Sequence, residues 1–178
     1  MVKLLSMFAV ALIPLSACGT TSGTGTSASN GAEIRAFKAD DIVTQAPFDL
    51  AKHLGKDVVL VSFWATFCEP CKAEMPFLQA FHDRHAAAGL TIVSVDIDGP
   101  DTEAEVAPYV RKQGYTYPIV IDRDGSIAQA LNPTSSAPYS LVIGRDGKVK
   151  KRLSGFQPAE APALEKELEA LLAEPGGS

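Results

Sequence analysis

The period of the apolar positions changes several times along this chain. Residues 58–64 read VVLVSFW and residues 90–97 read LTIVSVDI, two runs that are apolar nearly throughout. Short runs of this kind, rich in β-branched side chains, predict strands covered on both faces of a sheet. Between them, residues 69–87 place Phe77, Leu78 and Phe81 at helical spacing, and Gly89 supplies a stop. Pro76 falls inside this helix and is expected to kink it. Residues 34–44 suggest an N-terminal strand or hairpin and residues 48–54 a short helix. A helix is expected over 102–114, with Asp101 as its N-cap candidate. A strand over 118–122 and a short helix over 126–131 follow. Residues 139–143 and 149–153 flank the turn Arg145-Asp146-Gly147 and read as a hairpin. Residues 159–173 close the chain as an amphipathic helix carrying Leu164, Leu168, Leu171 and Leu172. The order β-α-β-α-β-β-α predicts an α/β domain with a mixed central sheet and helices on both faces.

Both ends depart from this pattern. Residues 19–31 read GTTSGTGTSASNG, with no large apolar side chain, and predict a flexible tether reaching about 20 Å. The domain is therefore expected over 33–174, with 175–178 as a frayed tail. Ahead of the tether, Lys3 and an apolar stretch over 4–15, interrupted by Ser6 and Pro14, read as a targeting leader over 1–17. The stretch is shorter than the roughly 20 apolar residues a membrane span needs. It ends in Leu15-Ser16-Ala17-Cys18, which resembles a bacterial lipobox. That resemblance implies lipidation of Cys18 and a membrane anchor over 18–32. It places the domain in a bacterial cell envelope, facing the periplasm or the outer surface.

Composition narrows the function. With 178 residues and 46% hydrophobic content, one domain can build its own core. A net charge of −5 without a basic patch argues against nucleic acid as a partner. No feature asks for an oligomer, so a monomer is expected. Of the three cysteines, Cys18 stands apart, and Cys68 and Cys71 are too few for a disulfide scaffold.

Cys68-Glu69-Pro70-Cys71 lies where the first apolar strand runs into the first long helix. Thiol–disulfide exchange needs a thiolate, and a helix N-terminus stabilises one through unpaired N–H groups and the helix dipole. Cys68 is the expected nucleophile, partly exposed, and Cys71, within one turn of it, the resolving thiol. Pro70 suits the first helical turn, which needs no N–H there. No cofactor beyond this redox-active pair is called for. A zinc half-site is the alternative use of the two thiols, but zinc usually takes four Cys or His ligands. Only His53, His82 and His85 are on offer, and His82 and His85 lie about three turns along the helix. No metal is expected; Asp96, Asp98 and Asp101 lack a calcium-loop pattern and read as solvated turn residues.

The run Phe63-Trp64-Ala65-Thr66-Phe67-Cys68-Glu69-Pro70-Cys71-Lys72-Ala73-Glu74-Met75-Pro76 resembles the TlpA/ResA-like branch of extracytoplasmic thioredoxins. The resemblance extends over about 33–173 by element order. It implies a thioredoxin fold with an N-terminal extension and a β-α insertion between Leu90 and Asp122. It also implies a membrane-tethered thiol-disulfide oxidoreductase. Its clients would be envelope protein disulfides, including that of apocytochrome c, and its electron donor a membrane thiol transporter of the DsbD/CcdA type. By that resemblance Glu74, three residues beyond Cys71 on the same helix face, shuttles the proton that Cys71 loses. Ordinary thioredoxins place a buried Asp on the central strand for this task; Ser62 stands there instead. Ala137-Pro138 would be the cis-proline segment facing the cysteines, its backbone pairing with an extended client. Together with Trp64, Phe67, Glu69 and Pro70 it makes up the expected client-binding surface. Trp64 is more a packing residue under the turn than a contact. Ala137, in place of a larger residue, departs from the family pattern.

The charges around the cysteines favour a reducing couple. Glu69 adds negative charge and Pro70 removes a donor, while Lys72 partly offsets them. That places the potential nearer the thioredoxin end, about −270 mV, than the strong-oxidant end, about −120 mV. Three alternatives stay open on sequence alone. A peroxiredoxin-like peroxidase usually carries Thr where Ala65 stands. A copper-delivery protein would want a His beyond His85. An inert scaffold lipoprotein would leave the pair unused.

Overall fold

The computed structural model describes residues 34–176. The expected leader 1–17, Cys18 with its tether over 18–32, Glu33 and the last two residues lie outside them.

The chain opens with a small antiparallel hairpin, β1 (Lys38–Asp40) and β2 (Pro47–Asp49), in which Ala39 faces Phe48. Then come β3 (Val58–Trp64), α1 (Glu69–His85), β4 (Leu90–Asp96), α2 (Glu103–Gln113) and β5 (Ile119–Ile121). They are followed by α3 (Ser126–Leu131), β6 (Tyr139–Ile143), β7 (Val149–Ser154) and α4 (Ala161–Ala173). The central sheet has the order β5-β4-β3-β6-β7. β3 pairs parallel with β4 and antiparallel with β6, so the mixed sheet is the one expected.

Strand alternation sends side chains to two cores. Leu60, Trp64, Ile92 and Val142 pack with Met75 and Leu78 of α1, Val106 and Val110 of α2, and Leu164 and Leu168 of α4. Val59, Val61, Phe63, Val93 and Leu141 pack on the other face with Ile127 and Leu131 of α3 and with Phe48 and Leu50. Every residue of β3 is buried, which is why its sequence is apolar without a period. Burial of each large side chain stabilises by about 1.5–3 kcal/mol. β3 is central, and its carboxyl end leads through Ala65-Thr66-Phe67 into α1.

Two local expectations are revised. Residues 48–54 do not form one helix: Phe48 is held in β2 by its hairpin partner, and only Leu50–Lys52 make a 3-10 turn, capped by Asp49, which accepts from Ala51 N–H at 3.1 Å. Asp101 does not cap α2; Thr102 occupies the cap position, without a side-chain cap bond. Pro76 lies inside α1, which continues through it to His85.

Candidate active site

Cys68 occupies the N-cap of α1 with extended backbone, and its Sγ accepts from the Cys71 N–H at 3.3 Å. The same Sγ is bonded to Cys71 across a Cα–Cα distance of 5.3 Å, so the pair is in its oxidised form. Pro70 sits in the first turn, where an N–H would lack a helical partner. Cys68 retains 8% of its surface and Cys71 none. Cys68 is thus less open than expected, because each sulfur covers the other and Cys68 packs against the larger core. Of the two sulfur-bearing residues, Cys68 is the more accessible.

Glu74, two residues C-terminal to Lys72 on α1, is turned into the protein and is 3% exposed. Ser62 donates to its Oε2 and Ser140 to its Oε1, both at 3.1 Å. Burial pushes this carboxyl up to about 7, against the two serine hydrogen bonds that favour its charged form. Ser62 does not replace the carboxylate of other thioredoxins; it holds one supplied from the helix. A cavity of about 240 Å³ reaches Glu74 from the surface between β7 and α4, lined among others by Lys151, Phe156 and Glu160. Neither serine stood out as functional in the sequence. The available signal was a hydroxyl inside each of two otherwise apolar strands.

Lys72 donates to Glu69 at 2.9 Å and lies over the Tyr109 ring, 5.6 Å from its centroid. Its charge is therefore shared with a neighbouring carboxylate instead of being reserved for the thiol. Glu69 and Pro70 are exposed, and Phe67 is 70% exposed, unusual for a large apolar side chain. Trp64 is wholly buried, its ring 5.6 Å from that of Tyr109, so its place on the client-binding surface is withdrawn. The Ala137-Pro138 bond is cis. Tyr139 pairs with Phe63, which puts this segment at the end of the sheet where residues 65–68 turn. The Pro138 carbonyl accepts from Gly155 N–H and the Ser136 carbonyl from Asn132 Nδ2, both at 2.8 Å. The main chain of Ala137 is half-buried between them.

Asp96 and Asp98 overturn the expectation of solvated turn residues. They are 0% and 6% exposed. Asp98 accepts from Thr66 N–H at 2.6 Å and from Thr66 Oγ1 at 2.5 Å, closing the turn ahead of Cys68. The partner of Asp98 is Thr66, 32 residues earlier, and no local pattern announces it.

The histidines are engaged elsewhere. His82 packs against Tyr117, and His85 faces Glu165 at 2.8 Å. His85, Glu165 and Glu169 bring ligand-type atoms within 4.8 Å of one another. Arg84 Nε donates to the same Glu165 oxygen at 2.6 Å, which makes the group an ion-pair network joining α1 to α4.

Residues 29–172 match the Redoxin family. The ResA thiol-disulfide oxidoreductase of Geobacillus kaustophilus is 32% identical over 122 residues, which cover 68% of this chain and 67% of that one. The ResA of Bacillus thuringiensis subsp. konkukian is 32% identical, with 63% and 62% covered. The chain thus spans about two thirds of the length of these relatives. Among solved structures, a thiol:disulfide interchange protein of the DsbE kind from Chlorobium tepidum superposes with a TM-score of 0.71 at 26% identity, covering 83% of this chain and 100% of the other. Fold, cysteine pair and relatives agree: this chain belongs to the Redoxin family, as a thiol-disulfide oxidoreductase of the ResA-like, thioredoxin-fold kind.

Proposed function

We propose that the protein reduces disulfides of envelope proteins with electrons from a Cys68/Cys71 dithiol, held at a membrane by a lipid on Cys18. The observation that supports this best is the Glu74 carboxyl, three residues beyond Cys71 on α1, buried and titrating at about 7. A group that changes protonation at about 7 can take the proton of a resolving thiol and give it up again.

The Cys68 thiolate attacks one sulfur of a client disulfide, forming a mixed disulfide and releasing one client thiolate. Cys71 passes its proton to Glu74 and attacks Cys68 Sγ. The Cys68–client bond breaks, and the second client thiolate leaves with the electron pair and takes up a proton. Two electrons have then moved to the client, and the Cys68–Cys71 disulfide has formed. No cofactor enters the cycle. Return to the dithiol needs an external reductant, which we assign to a membrane thiol transporter of the DsbD/CcdA type. Phe67, Glu69, Pro70 and the Ala137-Pro138 segment form the client surface, and apocytochrome c is one client class. No helix among the described residues is long and apolar enough to cross a membrane, which leaves attachment to residues outside them.

The test has two parts. The reduced protein should reduce insulin with little peroxide consumption, and its midpoint potential should lie near that of thioredoxin, about −270 mV. A potential above the glutathione range, or peroxide turnover exceeding insulin reduction, would overturn the assignment. In cells, the Cys71→Ala variant should retain Cys68–client mixed disulfides, and mass spectrometry of the trapped species would name the clients.

A further inference from the structure

We propose that Asp96 and Asp98 form one proton-sharing carboxyl pair that clamps the active-site turn through Thr66 and so positions Cys68. The inference rests on the reading of Cys68 as the attacking thiol and adds two positioning residues to that site.

The geometry has three parts. Asp98 uses both oxygens on Thr66, one on its N–H and one on its hydroxyl. Thr66 and Ala65 make up the turn, and the Ala65 carbonyl accepts from Cys68 N–H at 3.0 Å. The clamp therefore acts one hydrogen bond away from the residue that caps α1. Asp98 is itself fixed from behind, its N–H donating to Asp96 Oδ1 at 3.2 Å. The other Asp96 oxygen, Oδ2, is buried and has no hydrogen-bond partner among the described residues. A buried, ionised carboxylate oxygen without a donor is costly, whereas a protonated one becomes a donor itself. The acceptor beside it is the Asp98 carboxylate.

The surrounding charges agree with one proton on the pair. Burial, then the hydrogen bond and charge of Asp98, push Asp96 up to about 8. Asp98, although burial opposes its charge, is held below the usual carboxylate range by Thr102, Thr66 and Asp96. Glu103 of α2 adds negative charge toward Asp96, and Lys72 of α1 feels the charge of Asp98. Tyr109 of α2 packs on Trp64, and Asp122, after β5, is occupied by the amides of Ile127 and Ala128 at 3.0 and 2.7 Å. Among the described residues the charges that act on Asp96 are those of Asp98 and Glu103, both negative, so the proton stays on it. Two carboxyls in contact cannot both ionise easily, and the pair titrates as a unit. At neutral pH it carries one negative charge, placed on the oxygens that hold Thr66.

The protein contains its own reporter. Trp64 is the single tryptophan, lies wholly buried and pairs with Asp96 in the β3–β4 register. In the oxidised chain neither Cys68 nor Cys71 titrates, so the redox pair does not contribute to a step in Trp64 fluorescence, and substitutions assign the step to its group. The wild type should show a step near pH 8, matching Asp96. Asp96→Asn should abolish it, Asp98→Asn should move it to lower pH by removing the neighbouring charge, and Glu74→Gln should leave it in place. A step that survives Asp96→Asn, or that Asp98→Asn does not move, overturns the shared proton. Positioning is read separately, as the rate of Cys68 alkylation in the reduced chain. Asp98→Asn and Asp98→Ala lose the same charge, but Asn keeps an acceptor for Thr66. The Ala variant should be alkylated at least fivefold more slowly than the Asn variant, and Thr66→Val, which loses only the hydroxyl bond, should also be slower than wild type. Equal rates for Ala and Asn, or a Thr66→Val rate equal to wild type, overturn the clamp. Insulin reduction by the wild type tests the reading of Cys68 itself, independently of the fluorescence step.

Discussion

Ser62 and Ser140 face each other across the β3–β6 pairing, and together they hold the two oxygens of Glu74 at 3.1 Å each. A helix side chain is thus seated on one cross-strand pair of hydroxyls in the middle of an apolar sheet. The arrangement satisfies both carboxyl oxygens without a cation, so the group stays close to the balance between its charged and neutral forms.

That balance fixes a pH dependence. The Glu74 pKa rises from 4.5 to about 7 on folding, so the native state binds this proton more tightly than the unfolded chain. The associated stability is fully present below about 4.5, is lost as pH rises through about 7, and stays lost above it. The span corresponds to a loss on the order of 3 kcal/mol. Glu74→Gln carries no charge at any pH. Its stability relative to wild type, from urea unfolding at both ends of the range, should therefore increase between about pH 4.5 and about pH 7. Insulin reduction by the same variant should fall by about 10²-fold, the usual value of a positioned proton acceptor. A stability difference that is flat with pH would show that Glu74 is not buried in solution.

The serines should tune the same group. Each donates to the charged form and so pulls the pKa down against burial. Ser62→Ala or Ser140→Ala removes a hydrogen bond to a charged group, about 1.5–3 kcal/mol. Each should move the Glu74 titration upward by roughly one to two pH units. A carbon-13 NMR titration of the Glu74 carboxyl measures this directly. An unchanged midpoint in both variants would mean that the hydroxyls point elsewhere.

Much of this architecture is legible in the sequence, and the parts that are not share a cause. β3 and β4 are recognisable because burial on both faces leaves an apolar run, and the cysteine pair because Pro70 and the following helix fix its setting. Residues 48–54 mislead because Phe48 is committed to a hairpin partner at Ala39, outside any helical window. Asp96 and Asp98 look like surface turn residues because charged side chains at a strand end usually are. Only the fold brings Thr66 to Asp98. Ser62 and Ser140 likewise look incidental until the sheet places them opposite each other. Local pattern reports burial and period, whereas polar groups buried in pairs are specified by contacts far apart in the chain.

Glu69 should set the potential through Lys72. Their exposed ion pair places both charges beside the N-terminus of α1. Glu69→Gln removes the negative charge and leaves the Lys72 ammonium without its nearest anion, so the Cys68 thiolate gains stabilisation. Stabilising the reduced form makes a dithiol couple more oxidising. Equilibration with glutathione should show a rise of the midpoint potential by up to about 30 mV, one factor of ten in the exchange constant. A fall in potential would show that Lys72 does not act on the thiol.

Phe67 separates client recognition from thiol chemistry. Its ring is 70% exposed immediately before Cys68, so it contributes little to the core and replacing it costs little stability. An exposed aromatic beside a reactive sulfur gains its contact area only when a client covers it. Phe67→Ser should leave the urea midpoint within about ±0.5 kcal/mol of wild type. A lost aromatic contact of about 1.4 kcal/mol would raise the KM for a protein disulfide such as insulin about tenfold. Exchange with glutathione disulfide, too small to cover the ring, should keep its rate. If both substrates slow equally, Phe67 acts on the thiol itself, and client recognition must be sought along Ala137 and Pro138 alone.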